Sequence, residues 1–261
     1  MYKNKLVIDS HTHVWPDEIA PRAVEFLKRY YGLEWECGGT AAELEKSMAE
    51  SGVDISIAFS VATRPGQVEN INTFLSGVQN KKIIALGAMH PEYTDYKNEM
   101  QRIRALGLSG VKFHPDFQDF PIDDLRAMRI YEEIGDNMPI VFHLGDEKSD
   151  NSAPKRLANV LDQMPYLKVI GAHMGGWQRW EEAERYLIGR DIYLDASVSI
   201  PWIKDNFVRV VREHGAEKVL FGSDFPAVSQ KTELSRYEDL EFTEQELELI
   251  LAGNARRIFG L

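Results

Sequence analysis

Short runs of β-branched and aliphatic residues recur along the chain every few tens of residues, and most are followed by a stretch with helical periodicity. The runs cover 6–8, 55–59, 83–88, 110–113, 140–142, 168–172, 192–194 and 219–221. They are mostly apolar rather than alternating, the pattern of parallel strands covered on both faces. The clearest amphipathic stretches between them are 41–51, 68–79, 96–106, 123–135 and 153–164. Asp123-Asp124 supplies an acidic first turn for one, and Pro154 suits the start of another. Alternation of strand and helix repeated eight times predicts a (β/α)₈ barrel occupying the whole chain as a single domain. An open doubly wound sheet is the competing fold. It expects a glycine-rich phosphate loop after the first strand, and His11 and His13 stand there instead.

Two segments fall outside the repeat. Residues 14–39, between the first strand and its helix, contain a helical piece at 22–31 and the Gly38-Gly39 pair, and a loop of this length on the active face is expected to serve as a lid. Residues 243–261 are helical in pattern and are expected to pack across the barrel.

Composition narrows the function classes. The chain has 261 residues, 44% hydrophobic, enough for one sizeable core, and its formal net charge of −11 comes with no basic run longer than a pair. Nucleic-acid binding needs a basic face, so no such partner is expected. Cys37 is the single cysteine, which rules out an intrachain disulfide and a cysteine-based metal site. Residues 1–8 lack the apolar stretch of a signal peptide, and no segment approaches the roughly 18 apolar residues of a membrane span. A soluble cytoplasmic protein acting on a small molecule is the expectation.

The polar residues at the strand ends carry the chemistry. Asp9, His11 and His13 fall at the first run, His90 at the third, Lys112 and His114 at the fourth, His143 at the fifth, His173 at the sixth, Asp195 at the seventh and Asp224 at the eighth. Six of the seven histidines thus follow apolar runs, and in a barrel those ends converge on one mouth. His11 and His13, two apart on a strand, share a face, and their imidazoles suit a borderline divalent ion. Taken alone the pair also fits a polar strand-to-loop turn. His143 adds a third nitrogen and Asp224 a carboxylate, although an aspartate before Phe225-Pro226 also serves as a cap or turn residue. The nitrogen-rich set favours one divalent ion, zinc first, with manganese or iron behind it.

Four segments together resemble the amidohydrolase superfamily: Ile8-Asp9-Ser10-His11-Thr12-His13, Gly110-Val111-Lys112-Phe113-His114-Pro115, Gly171-Ala172-His173-Met174-Gly175-Gly176, and Phe221-Gly222-Ser223-Asp224-Phe225-Pro226. Within it they are most similar to the branch that contains aminocarboxymuconate-semialdehyde decarboxylase and related hydrolases. The closing segment 254–261 resembles that branch's final helix, so the resemblance spans the chain. It implies a metal held by His11, His13, His143 and Asp224. It also implies His173 as a catalytic group beside the activated water, with Asp224 able to shuttle that water's proton. A homodimer is the expectation by analogy.

Several other residues keep more than one reading. Lys112 pairs with Asp9 or Asp195, binds a substrate carboxylate, or carries a bridging carbamate as in some superfamily members. Arg64, after the second strand, is the best cation for an anionic substrate and otherwise a solvated loop residue. His90 and His114, each before a proline, line the pocket or satisfy a turn. Trp15, Trp177 and Trp202 suit pocket walls or loop packing, Asp195 suits holding a neighbouring side chain, and His214 reads as surface. A divalent ion activates water for attack on an amide, lactone or ester, and the same site supports non-oxidative decarboxylation of an unsaturated or aromatic acid. Hydrolysis is placed slightly ahead. A barrel that only binds is disfavoured, because the full set of chemical residues is present.

Overall fold

The structure is a computed structural model that describes residues 5–261; Met1 to Asn4, and with them half of the segment read for a signal peptide, lie outside the described residues. Among the described residues nine parallel strands follow one another: β1 Ile8–His13, β2 Ile55–Phe59, β3 Ile83–Ala85, β4 Gly87–Ala88, β5 Val111–Phe113, β6 Ile140–Phe142, β7 Val169–Gly171, β8 Tyr193–Asp195 and β9 Val219–Leu220. β1-β2-β3 form one ladder and β4 to β9 another.

The eight expected strand positions are all present, with the third divided. Leu86 N donates to Ala58 O at 2.9 Å, whereas Gly87 N donates to Gly110 O at 2.8 Å, so the chain changes partners between adjacent residues. The far edge is joined as well. Ser10 N donates to Phe221 O at 2.9 Å and His13 N to Phe225 O at 2.6 Å, and Thr12 bridges Phe225 in parallel. These bonds link the last strand to the first around a (β/α)₈ barrel.

The first strand begins at Ile8, two residues later than the apolar run suggests, and continues through His13. Between Asp9 and Thr12 its register against β2 slips by one residue, a bulge that re-aims the side chains following it. Asp9 holds the bulge in place. Its Oδ1 accepts from His11 N at 3.1 Å and Ser223 N at 3.0 Å, while Oδ2 accepts from Ser223 Oγ at 2.6 Å and Gln230 Nε2 at 2.8 Å. One buried carboxylate therefore ties the strand bearing His11 to the loop bearing Asp224, and burial raises its pKa to about 6.

Helix boundaries follow local chemistry. Thr40 and Glu43 form a reciprocal capping box ahead of the helix Ala41–Ser51. Asp124 caps the helix Leu125–Ile134 by accepting from Arg126 N, rather than sitting inside its first turn. Within the barrel, Ile8, Ile57, Leu86, Val141, Ile170 and Leu220 form a separate apolar cluster with Ala252, Ala255 and Ile258 of the last helix. That helix accordingly packs on the barrel end opposite the histidines. Asn254 fastens it by donating to Ala216 O and Val219 O, both at 2.7 Å. Asn254→Ala strands one buried and one partly buried carbonyl, so urea denaturation should show a loss of roughly 1–3 kcal/mol with the strand-end histidines undisturbed.

His214 departs from expectation. It is 4% exposed, with Nε2 3.0 Å from Ile192 O and Nδ1 accepting from Gly189 N at 3.2 Å. The polar Glu213-His214-Gly215 segment suggests surface, but the imidazole turns inward to satisfy loop backbone groups. Among the described residues no helix is long and apolar enough to cross a membrane.

Candidate metal centre and active-site cavity

At the C-terminal ends of the strands, His11 Nε2 lies 3.2 Å from His13 Nε2 and 3.1 Å from Asp224 Oδ1, and His13 Nε2 lies 3.3 Å from the same carboxylate oxygen. Atoms that share an ion at about 2.0–2.1 Å sit roughly 3.0–3.4 Å apart in octahedral or tetrahedral arrangements, so this spacing fits a divalent ion. The protonation pattern agrees. Asp195 Oδ2 lies 2.9 Å from His11 Nδ1, and Asp195 holds that nitrogen as a donor. In neutral His11 the lone pair of Nε2 then points at a second imidazole nitrogen and a carboxylate oxygen. Where the lone pairs of His11 and His13 both face the carboxylate, a divalent ion between them would supply the balancing positive charge. The same electrostatics appear in the pKa shifts. Burial opposes charge on His11, but Asp195 and Asp224 outweigh it and raise its pKa. Burial would raise Asp224, yet His11 and His13 hold it well below the carboxylate range.

His173 and His143 form the adjoining pair, with His173 Nε2 3.1 Å from His143 Nδ1. Gly145 O, 3.0 Å from His143 Nε2, has no proton to give, so that nitrogen donates and Nδ1 keeps its lone pair. Ser197 Oγ donates to Asp195 and lies 2.9 Å from His173 Nδ1, which makes Nδ1 the donor and leaves Nε2 as the acceptor. A second pair of facing lone pairs results. His143 is not within the His11–His13–Asp224 triplet itself; it reaches it through His173, whose ring centroid is 5.0 Å from that of His11. Burial lowers the His173 pKa to about 4 and puts His143 well below its usual value, so both rings are neutral near pH 7.

The backbone at these strand ends is unusual. His173, Val198 and Asp224 adopt φ of 58°, 49° and 62°. Non-glycine residues with positive φ carry a cost of order 1–3 kcal/mol each, and they cluster where function over-determines conformation. Gly145 presents the complementary case: its φ is +84°, and a Cβ there would meet Trp177 O and N at 2.3 and 2.4 Å. Gly145→Ala should therefore push apart the loops bearing His143 and Trp177, lowering the thermal midpoint by an amount equivalent to more than about 1 kcal/mol.

The cluster opens into a cavity of about 410 Å³, in the size range of small-molecule sites. His13, His114, His143, His173 and Asp224 line it, together with Trp15, Trp177 and Trp202. Residues 14–39 build one wall through their helix Ala20–Tyr31. That segment is fastened by Tyr30 Oη to Asp146 at 2.7 Å and by Cys37 N to Pro226 O at 3.1 Å. Tyr31 Oη reaches to 3.2 Å from His114 Nε2, and the His114 ring stacks between His143 and Phe117, with centroids 3.8 and 4.0 Å away.

The remaining expected residues are distributed unevenly. His90 is buried and accepts from Glu92 N at 3.1 Å, a turn role away from the cavity wall. Lys112 points into the barrel beneath the mouth, 1% exposed, with Nζ 4.7 Å from the Phe59 centroid and no hydrogen-bond partner. Burial lowers its pKa to about 8, and it forms no ion pair with Asp9 or Asp195 among the described residues. Arg64 is exposed and outside the cavity wall, because the turn at Pro65–Gln67, with Gln67 Oε1 accepting from Arg64 N, carries it outward; Thr63 lines the cavity in its place. Ser197, Tyr31, Phe117 and Arg236 carry no motif that would single them out in the sequence, and only folding brings them to the site.

A parallel barrel with histidines and a carboxylate gathered at the strand ends defines the class. The family model described as Amidohydrolase matches residues 8–261, and the chain belongs to that family. Among solved structures it is similar to an uncharacterized TIM-barrel protein from Bordetella bronchiseptica, at 20% identity and TM-score 0.77, covering 97% of this chain and 98% of that one. It is also similar to a dihydroxybenzoic acid decarboxylase from Polaromonas with bound manganese and the inhibitor 2-nitroresorcinol, at 16% identity and TM-score 0.74, covering 98% and 97%. A third is 5-carboxyvanillate decarboxylase from Sphingomonas paucimobilis, at 16% identity and TM-score 0.69, covering 98% and 99%. At these identities the likeness establishes the (β/α)₈ fold. No curated protein sequence matches the chain.

Proposed function

We propose that the protein is a metal-dependent decarboxylase that removes carbon dioxide from a small aromatic or unsaturated carboxylic acid. The observation that carries this reading is a cavity in which the candidate metal ligands meet flat aromatic walls, Trp15 beside His13 and Trp177 beside His173, with ring centroids 5.7 and 6.1 Å apart. The decarboxylases among similar structures, named for dihydroxybenzoic acid and 5-carboxyvanillate, support the same choice. The order of reactions expected from the sequence is thereby reversed, with hydrolysis second.

His11, His13 and Asp224 would hold the ion, with His143 and His173 at the adjoining position. When bound, the ion supplies Lewis acidity and binds anionic oxygens. Manganese, named in one similar structure, stands beside zinc as the metal to test. His173 is the proton carrier in this reading. Its Nε2, left as the acceptor by the contact of Ser197 with Nδ1, is placed to take a proton from a substrate hydroxyl that a bound ion would make acidic. The resulting imidazolium, acidic because burial depresses its pKa, passes the proton to the carbon bearing the carboxylate. The carbon–carbon bond then breaks, its electron pair returns to the unsaturated system, and carbon dioxide leaves. Asp195 and Ser197 fix the tautomers of His11 and His173. The wall formed by residues 14–39 excludes water and opens for exchange.

The test is carbon dioxide release. Protein loaded separately with Mn²⁺ and Zn²⁺ is incubated with dihydroxybenzoates, 5-carboxyvanillate and a panel of lactones and amides. Release of carbon dioxide with formation of the decarboxylated product is the expected result; cleavage of a lactone or amide without it would establish hydrolysis instead.

A further inference from the structure

Of the lysines and arginines among the described residues, Arg236 alone lines the cavity. Arg236 follows the helix Gln230–Ser235, and its Nη1 donates to Glu233, a fully buried carboxylate one turn earlier. Its Nε and Nη2 have no hydrogen-bond partner among the described residues, and the side chain is 24% exposed. The guanidinium is thus anchored on one edge and open on the other, the disposition that suits a planar fork for an anion. Glu34 and Glu36, also on the wall, are engaged with Lys28 and with Ser229 and Thr232.

We infer that Arg236 is the anion-recognition residue of the cavity, and that the substrate carries a second anionic group, a carboxylate or phenolate, besides the carboxylate it loses. The inference deepens the decarboxylase reading and rests on it for the identity of the first group. Arg236 takes the second group as a charge-assisted, forked pair, and Glu233 fixes the direction of the fork.

The experiment measures binding. Mn²⁺-loaded protein is titrated with benzene-1,3-dicarboxylate and with its monoamide, 3-carbamoylbenzoate, following quenching of the cavity tryptophans and confirming by calorimetry. The wild type should prefer the dianion by about tenfold or more, the preference should vanish in Arg236→Met, and Arg236→Lys should retain part of it. Because Arg236→Met leaves Glu233 buried without a partner, Arg236→Met/Glu233→Gln removes both charges and should show the same loss. Undiminished preference for the dianion in these variants, or no preference in the wild type, would overturn the assignment. The two readings fail separately. Intact, Arg236-dependent preference without carbon dioxide release from any acid sinks the decarboxylase alone; carbon dioxide release from monoacids and diacids alike, unchanged by the substitutions, sinks the role of Arg236 alone.

Discussion

Asp224→Asn is expected to abolish turnover, lowering kcat/KM by about a thousandfold or more, and to leave purified protein with little bound metal. The amide keeps the size of the carboxylate but removes the negative charge toward which His11 Nε2 and His13 Nε2 converge at 3.1 and 3.3 Å. A negative oxygen contributes most where the site is buried, since the local dielectric is low and water cannot substitute. His13→Ala should act in the same direction through loss of a nitrogen ligand. Metal content by mass spectrometry and the thermal midpoint with and without added Mn²⁺ check the result. Wild-type protein should gain stability as the ion is added, in proportion to the logarithm of its concentration above Kd, and the variant should not. Full metal occupancy in Asp224→Asn would remove this carboxylate from the ligand set.

His173→Asn should lower kcat by about a hundredfold to ten-thousandfold, the range for loss of a positioned proton carrier, while substrate binding changes far less. Asn lacks the Nε2 that lies 3.1 Å from His143 Nδ1. Because the His11–His13–Asp224 triplet does not include this residue, metal content should fall much less than in Asp224→Asn. Steady-state kinetics alongside metal analysis separate the two roles. A variant with wild-type kcat would exclude His173 from proton transfer, and one that is inactive only because it is metal-free would make it a ligand.

Much of this arrangement is legible along the chain, and for identifiable reasons. A strand buried on both faces is mostly apolar, so the runs at 55–59 and 140–142 mark β2 and β6 to the residue. Polar residues interrupting such runs are costly to bury unless they meet partners, and for that reason His11, His13, His143, His173 and Asp224 stand out. Boundaries set by hydrogen bonding are less visible. The change of partners at Leu86 and Gly87 depends on neighbouring strands, and the slip within β1 depends on Asp9 reaching Ser223 and Gln230, more than two hundred positions away. Arg64 and Arg236 illustrate the same limit at the site. Both are arginines in loops or helix ends, and local sequence favours Arg64 because it follows a strand. A turn carries Arg64 outward, while the buried Glu233 holds Arg236 against the cavity.

From the sequence alone come the barrel, the end of it that bears chemistry and the residue types gathered there, because burial and strand periodicity act locally and are written into each run. Only tertiary structure decides which lone pairs face one another, which imidazoles are neutral and which cation meets the cavity. Those properties depend on distances between residues remote in the chain and on the exclusion of water around them, and neither quantity exists until the strands have closed.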